Sequence, residues 1–387
     1  MNFSLLLHTI TSVSICGFIV FISSGIFLQA SPIEETTQEI NTVIDECLDR
    51  LVEEDRFSGT VLVAKDGVPI YKRAVGEACK RYGVPNRVDT KFNLGSMNKM
   101  FTGVAIAQLV QGGKLSYDDY VGAHLPDYPN REVREKVTIH HLLTHTSGMG
   151  LYWMEFFQNP QWAQLKTVKD FDDLTNTKPL DFEPGERFQY SNCGPLVLGL
   201  IIERISGMSY HDYIRSHVTE PAGMIDTECY EMDEPVPNLA IGYTKMNIFG
   251  GQYESWHNNL FANPTKGCPA GGGYSTVEDL LRFDIALRNY KLLDKKHFEI
   301  LTKGKVVEAL PTMTGEIKKD LNRKYAYLFQ ERIVNGQRII GHSGGAAGIH
   351  SHLAMYMNAG YTVAVMSNYD LGAKPVIEKI EAFLTGE

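Results

Sequence analysis

Ser96-Met97-Asn98-Lys99 is the only S-x-x-K in the chain, and it sets a hydroxyl three residues before an amine. On a helix the two side chains share a face, so the amine can reach the hydroxyl. Partial burial lowers a lysine pKa, and a neutral amine can then take the serine proton and release a nucleophile. A helix starting at Ser96 would add the positive field of its N-terminus. The bland alternative is a capping serine beside an exposed lysine, and average composition yields roughly one such match per chain of this size by chance.

Two further patterns bear on the same chemistry. Tyr190-Ser191-Asn192 is one of three Y-x-N matches, with Tyr128-Pro129-Asn130 and Tyr356-Met357-Asn358. Only Tyr190 sits between a Pro-Gly turn and a predicted helix, in a position to project into a cleft. His342-Ser343-Gly344 is the only H-x-G, at a predicted strand end. On an edge strand, Gly344 and Gly345 would admit substrate close to the backbone. A free N–H there could join that of Ser96 in an oxyanion hole.

Gly341 to Gly345, GHSGG, also fits G-x-S-x-G, which marks a nucleophile elbow when a helix follows the serine and an acid and a histidine come later. Here a strand is expected after Ser343, and no histidine follows Asp370. Ser96 is therefore the expected nucleophile, with Ser343 a substrate-binding residue.

The elements that must position these residues are legible in outline. A helix is expected near Ile40 to Glu54, and strands over Gly59 to Ala64 and Pro69 to Val75 flank an Asp66-Gly67 hairpin. Phe101, Val104, Ala105 and Leu109 recur at helical spacing within Met97 to Gly112. Ile139 to Leu143, Leu196 to Ile205 and Val277 to Leu287 read as helices. Strands return at Tyr325 to Val334 and Gln337 to Gly341, around Asn335-Gly336, a type I′ hairpin signal. Ile349 to Tyr356 and Tyr361 to Ser367 follow, then a helix at Val376 to Leu384. The expected fold is α+β, an antiparallel sheet built from N- and C-terminal strands, flanked by helices, with a mostly helical middle.

The chain has 387 residues and a net charge of −9. That balance argues against a nucleic-acid surface. Leu5 to Leu28 holds no Asp, Glu, Lys or Arg and ends before Gln29-Ala30-Ser31-Pro32. Residues 1–30 read as an export signal peptide, with an uncleaved anchor as the alternative. Residues 36–387 read as one domain, secreted or periplasmic. Cys47, Cys79, Cys193, Cys229 and Cys268 follow the leader without C-x-x-C spacing, so free thiols are expected. His140, His141, His145, His350 and His352 lack the spacing of common metal motifs, and a structural role is expected for each.

Taken in order, Ser96-x-x-Lys99, Tyr190-x-Asn192 and His342-x-Gly344 resemble the three motifs of serine β-lactamases and penicillin-binding proteins. The resemblance is to the class C β-lactamase-like branch, with its D-alanyl-D-alanine carboxypeptidases, D-aminopeptidases and family VIII esterases. It extends through TIHHLLTHTSGM (Thr138 to Met149), FEPGERFQYSN (Phe182 to Asn192), EPAGMIDT (Glu220 to Thr227) and PAGGGYSTVEDLLRF (Pro269 to Phe283).

The resemblance implies an acyl-enzyme on Ser96, with Lys99 and Tyr190 sharing the proton transfers and no metal or organic cofactor. It implies an oxyanion hole from the N–H groups of Ser96 and Gly345, and an Asn192 that bonds substrate and positions Lys99. Segment HTSG, with His145, is implied to shape the fold near the site. One departure stands out. The third motif is commonly Lys-Thr-Gly, whereas His342 stands here, and an unperturbed imidazole of pKa about 6.5 is a poorer carboxylate anchor at neutral pH. Small ester, amide or peptide substrates are expected. A carboxypeptidase or β-lactamase is the alternative, and an inactive ligand-binding relative the second.

Overall fold

Side-chain alternation along the strand Gly59–Lys65 (β1) decides the architecture. Val61 and Val63 enter one hydrophobic cluster, while Leu62 and Ala64 enter another. A strand buried on both faces belongs at the middle of a layered sheet. The structure, a computed structural model, describes residues 32–247, 250–311 and 317–386. The leader and Cys16 lie outside them.

The other strands of this sheet are β2 (Val68–Val75), β3 (Val306–Pro311), β4 (Ile317–Tyr325), β5 (Gln330–Val334), β6 (Gln337–Ala346), β7 (Ile349–Tyr356) and β8 (Tyr361–Ser367). They form one eight-stranded sheet in the order β2-β1-β8-β7-β6-β5-β4-β3. Neighbours pair antiparallel throughout. β1 pairs with β8 from Gly59↔Ser367 to Lys65↔Tyr361, so the two ends of the chain share one sheet as expected. Asn335 and Gly336 both have positive φ, +44° and +77°, as a type I′ turn requires.

Five helices matter for the site: α1 (Pro32–Glu53), α2 (Lys99–Gln111), α3 (Cys193–Ser206), α4 (Val277–Arg288) and α5 (Ala373–Thr385). α1 and α5 cover one face of the sheet, where Ile40, Ile44, Val376 and Ile380 meet Val61, Val363 and Val365. The helical middle covers the other, where Phe101, Val104 and Phe283 meet Leu62, Leu353 and Ala364. α2 is buried almost all round and forms the axis of that half.

Three expectations need correction. The helix predicted from Met97 begins later: Gly95–Asn98 is a 3₁₀ turn, and the α-helix starts at Lys99. Gly95 takes φ +49° with its N–H on Asn93 Oδ1 at 2.8 Å, and this bend resets the chain before the helix. The predicted strand Tyr325 to Val334 is two strands, split where Ala326 N–H closes a turn on the Phe329 carbonyl at 2.8 Å. β6 runs five residues past Gly341, so H-x-G lies within a strand rather than after one. β3, most of β4 and the hairpin Tyr243–Met246 with Gln252–Asn258 were not foreseen. Much of that sequence is polar or exposed, without the alternation that marks a half-buried strand. Among the described residues, no helix is long and apolar enough to cross a membrane.

Candidate active site

The 3₁₀ turn and the first residue of α2 bring Ser96 and Lys99 together. Ser96 is half-buried and Lys99 is fully buried. Lys99 Nζ lies 3.1 Å from Ser96 Oγ and 2.8 Å from Asn192 Oδ1, and it also donates to the Ala270 carbonyl. Burial pushes the Lys99 pKa down to about 7, against a smaller upward pull from Cys268. The turn is pinned by Asn98 Nδ2 on the Cys268 carbonyl at 2.8 Å, and α2 by Thr102 Oγ1 on the Pro269 carbonyl at 2.9 Å. The Pro269–Gly273 stretch thus serves as a rigid floor under the lysine.

Tyr190 and Asn192 come from the loop that ends at α3. The Tyr190 ring lies with its centroid 4.9 Å from Lys99 Nζ. Burial raises the Tyr190 pKa, and its hydrogen bond with the Ser96 side chain pulls the other way. His145 supports this tyrosine from behind: the ring centroids are 4.4 Å apart, and His145 Nδ1 accepts the Ser191 N–H at 3.2 Å. His145 is buried at φ +57°, a left-handed conformation held by the tight THTSG turn.

β6 forms the opposite wall. It pairs with β5 only as far as Gly341, while pairing with β7 continues to Ala346↔Ile349. It is therefore an interior strand whose second half has one edge without a strand partner, rather than the edge strand expected. Against that edge packs the turn bearing Ser96. A Cβ on Gly344 would meet the Leu94 carbonyl oxygen at 1.9 Å, so this glycine exists for backbone approach within the protein. Gly345 is different, with open space where its Cβ would be. Its nitrogen comes within 3.1 Å of a Cβ built on Gly95, beside Ser96. Of the two glycines expected to admit substrate, only Gly345 faces free space.

His342 is buried in this wall. Its Nδ1 lies 2.6 Å from the Ser343 carbonyl oxygen and its Nε2 2.8 Å from the Tyr325 hydroxyl. Burial first, then the Lys99 charge, hold its pKa down to about 3. Alternation puts the Ser343 side chain on the other face of β6 from His342, opposite His352. β6 continues through Ser343 as a strand, so GHSGG is no strand-to-helix elbow.

The structure brings Ser96, Lys99, Tyr190 and Asn192 into one cluster, with His342, Gly344 and Gly345 in the wall beside it. Sequence reasoning assigned no role to Tyr325 or to the Ala270 carbonyl. The glycine-rich PAGGG run was a usable signal for the second, and nothing in the sequence marked the first. His140 bonds the Tyr327 hydroxyl at 3.0 Å, and His141 completes the capping box of Thr138. Cys47, Cys79, Cys193, Cys229 and Cys268 are free. Among the described residues no group of His, Cys, Asp or Glu is placed to hold a metal ion.

Phe157 and Trp162 on one side, and Met246, Tyr253, His257 and Phe261 on the other, line a cavity of about 430 Å³. None of Ser96, Lys99, Tyr190 and His342 is among the residues that line it. Ser191 Oγ bonds the Gly150 carbonyl at 3.0 Å, and Asn259 Nδ2 bonds the Ala347 carbonyl at 2.8 Å, just past Gly345.

Residues 44–384 match the Beta-lactamase family. Penicillin-binding protein 4* of Bacillus subtilis (strain 168) is 31% identical over 328 residues, covering 82% of this chain and 69% of that protein. Esterase EstB of Burkholderia gladioli is 36% identical over 197 residues, 47% of this chain and 50% of the esterase. Among solved structures, a penicillin-binding protein from Bacillus halodurans superposes with a TM-score of 0.76 at 31% identity, over 89% of this chain and 98% of that one. The chain belongs to the Beta-lactamase family, and it is an enzyme of the serine hydrolase type.

Proposed function

We propose that the protein hydrolyses esters or small amides through an acyl-enzyme on Ser96. One observation carries this reading: a fully buried Lys99 amine, held by Asn192 and the Ala270 carbonyl, 3.1 Å from Ser96 Oγ. With its pKa near 7, a large fraction of Lys99 is neutral at physiological pH and able to act as a base.

In this reading Ser96 Oγ attacks the carbonyl carbon as its proton passes to Lys99. The backbone N–H groups of Ser96 and Gly345 hold the developing oxyanion. Tyr190 stays a neutral phenol and passes a proton to the leaving group, receiving one in turn from the Lys99 and Ser96 side. Asn192 bonds substrate and keeps Lys99 in place. Water then attacks the ester, giving one proton to the base, and Ser96 leaves with a proton restored. Splitting the reaction through a covalent ester lowers the barrier of each half. Gly345 lies along the wall that substrate follows, Gly344 packs that wall against Leu94, and His342 is buried in it. The mechanism uses no metal or organic cofactor.

The names of the relatives, an esterase and a penicillin-binding protein, leave carboxypeptidase or β-lactamase activity as the second reading. An inactive relative is disfavoured because a binding module has no need for Ser96, Lys99, Tyr190 and His342 together. Residues 36–387 form the hydrolase domain in this reading, and residues 1–30 direct export, leaving the enzyme secreted, periplasmic or membrane-anchored.

Intact mass after brief exposure to a p-nitrophenyl ester, a β-lactam and a serine-directed phosphonate tests the assignment. An adduct lost only in Ser96→Ala is expected. Loss only in Ser343→Ala would overturn it, and the reagent that turns over ranks esterase against β-lactamase.

A further inference from the structure

We infer that Asp370, Asn259 and Asn263 are positioning residues that clamp the Ala347–Gly348 peptide and thereby aim the Gly345 N–H at the oxyanion. The inference rests on the acyl-enzyme reading and extends it to residues that touch neither substrate nor nucleophile.

Ladder alternation sets the direction of that N–H. Ala347 and Gly348 join β6 to β7 as a two-residue turn after the pair Ala346↔Ile349. In an antiparallel ladder, pairs that bond each other alternate with pairs that bond outward. The pair flanking a two-residue turn bonds inward, so Gly345, one step further, points its N–H away from β7. The other hairpin gives the same parity. Gln337 flanks the Asn335-Gly336 turn and bonds β5, as do Ile339 and Gly341, and Gly345 falls on that series. β5 ends at Gln330, opposite Gly341, so among the described residues the Gly345 N–H meets no strand. It faces the turn that carries Ser96, with its nitrogen 3.1 Å from a Cβ built on Gly95.

The turn next to Gly345 is not one that a hairpin favours. Two-residue hairpins prefer types I′ and II′, with positive φ at the first central residue, because their twist matches the strands. Here the first, Ala347, does not have positive φ, while the second, Gly348, has φ +68°. That order of signs belongs to a type II turn, which differs from type I by a flip of the central peptide.

The hold on this peptide comes from outside the turn, and both of its ends are gripped. Asn259 Nδ2 donates to the Ala347 carbonyl at 2.8 Å and Asn263 Nδ2 at 3.3 Å, while Asp370 Oδ1 accepts the Gly348 N–H at 2.7 Å. Asp370 is itself fixed, since its Oδ2 accepts the Lys245 N–H at 2.6 Å and the Thr244 hydroxyl at 2.9 Å. Gly242 leaves room for the grip: a Cβ there would meet Asn259 Nδ2 at 2.1 Å and the Gly348 carbonyl oxygen at 2.4 Å. A flip would break three hydrogen bonds at once, two of them from buried amides. A donor aimed at developing charge stabilises it best when its place is set beforehand.

The experiment measures ester hydrolysis and inhibition by a trifluoromethyl ketone of the same acyl group. Ser96 Oγ adds to the ketone carbon, the hydroxyl proton passes to Lys99, and the carbonyl oxygen becomes the oxyanion. Asp370→Ala, Asp370→Asn and Asn259→Ala are compared with wild type, with melting temperatures checked. Asp370→Ala should lose about 10- to 100-fold in kcat with little change in KM, and Ki for the ketone should rise in step with the loss in kcat/KM. Asp370→Asn keeps an oxygen for the Gly348 N–H and should recover most of the loss. Asn259→Ala releases the other end of the same peptide and should show the same pattern, which decides the matter should Asp370→Ala not fold.

The inference is overturned if Asp370→Ala keeps the wild-type kcat, if the loss falls on KM, or if the ketone binds as tightly as before. It is equally overturned if Asp370→Asn is no better than Asp370→Ala. Ester turnover or a ketone adduct surviving in Ser96→Ala would instead sink the acyl-enzyme reading, whatever the clamp variants do.

Discussion

Lys99 Nζ lies 3.1 Å from Ser96 Oγ across the join between a 3₁₀ turn and an α-helix. Burial, with little nearby charge to oppose it, brings that amine to a pKa of about 7. The base form is gained as pH rises, so kcat/KM should climb through a midpoint near 7. At pH 6 it should stand at about a tenth of its plateau. Lys99→Met should remove this limb together with nearly all activity. A profile flat from pH 5 to 8, or one with its midpoint in the carboxylate range, would refute Lys99 as the base.

Tyr190 is packed between Lys99 and His145, with burial holding it as a phenol. Tyr190→Phe keeps the packing and removes only the hydroxyl proposed to carry the proton. A loss of about 10²- to 10⁴-fold in kcat is expected, with KM changed far less. Single-turnover kinetics with esters of differing leaving-group pKa provide the check. Poor leaving groups should suffer most, and an equal loss across the series would deny the tyrosine its role as acid.

The two glycines of β6 should part company. Gly344→Ala drives a methyl into the Leu94 carbonyl at 1.9 Å and must shift the turn that carries Ser96. A destabilisation of about 1–3 kcal/mol, together with loss of activity, is expected. Gly345→Ala meets nothing within 4 Å and should fold as wild type does. Chemical denaturation of both variants decides the matter. Equal stability of the two would mean that the approach of Leu94 to β6 is not what Gly344 serves.

Buried histidines should make the protein sensitive to acid. His342 is held down to about 3, with His145 and His352 also well below their ordinary value, chiefly by burial. In the unfolded chain each takes up a proton near pH 6.5. Between those values the unfolded state binds more protons, so stability rises with pH in that window. The contribution is complete above about pH 6.5 and is lost as pH falls toward 3. Melting temperature should therefore drop between pH 7 and pH 5, and by less in His342→Asn. An equal drop in that variant would assign the acid sensitivity to other groups.

Much of this site is legible in the order of residues. S-x-x-K marks the proposed nucleophile and base because a helical period brings such a pair to one face, and the turn leading into α2 obeys it closely enough. Tyr190 is separable from Tyr128 and Tyr356 because only it lies between a Pro-Gly turn and a helix. The terminal strands and the Asn335-Gly336 hairpin are also readable, from alternation and from a turn that requires two positive φ values. β3 and most of β4 are not, since VVEALP shows no apolar-polar alternation and IKKDLNRKY is largely polar.

The information carried by the chain alone is thus local: residue types within one turn, periodic faces, and the chemistry those types allow. Packing of distant segments decides the rest. Ser96 and Asn192 meet on Lys99 although 93 residues separate Lys99 from Asn192. Ala270, a residue with no functional side chain, supplies a carbonyl that holds the amine. Tyr325 reaches His342 only because β6 outruns β5, leaving the hairpin turn beside the wall. No periodicity records such contacts. They depend on burial, which sets the charge of Lys99 and His342, and burial belongs to the packed molecule rather than to any stretch of its chain.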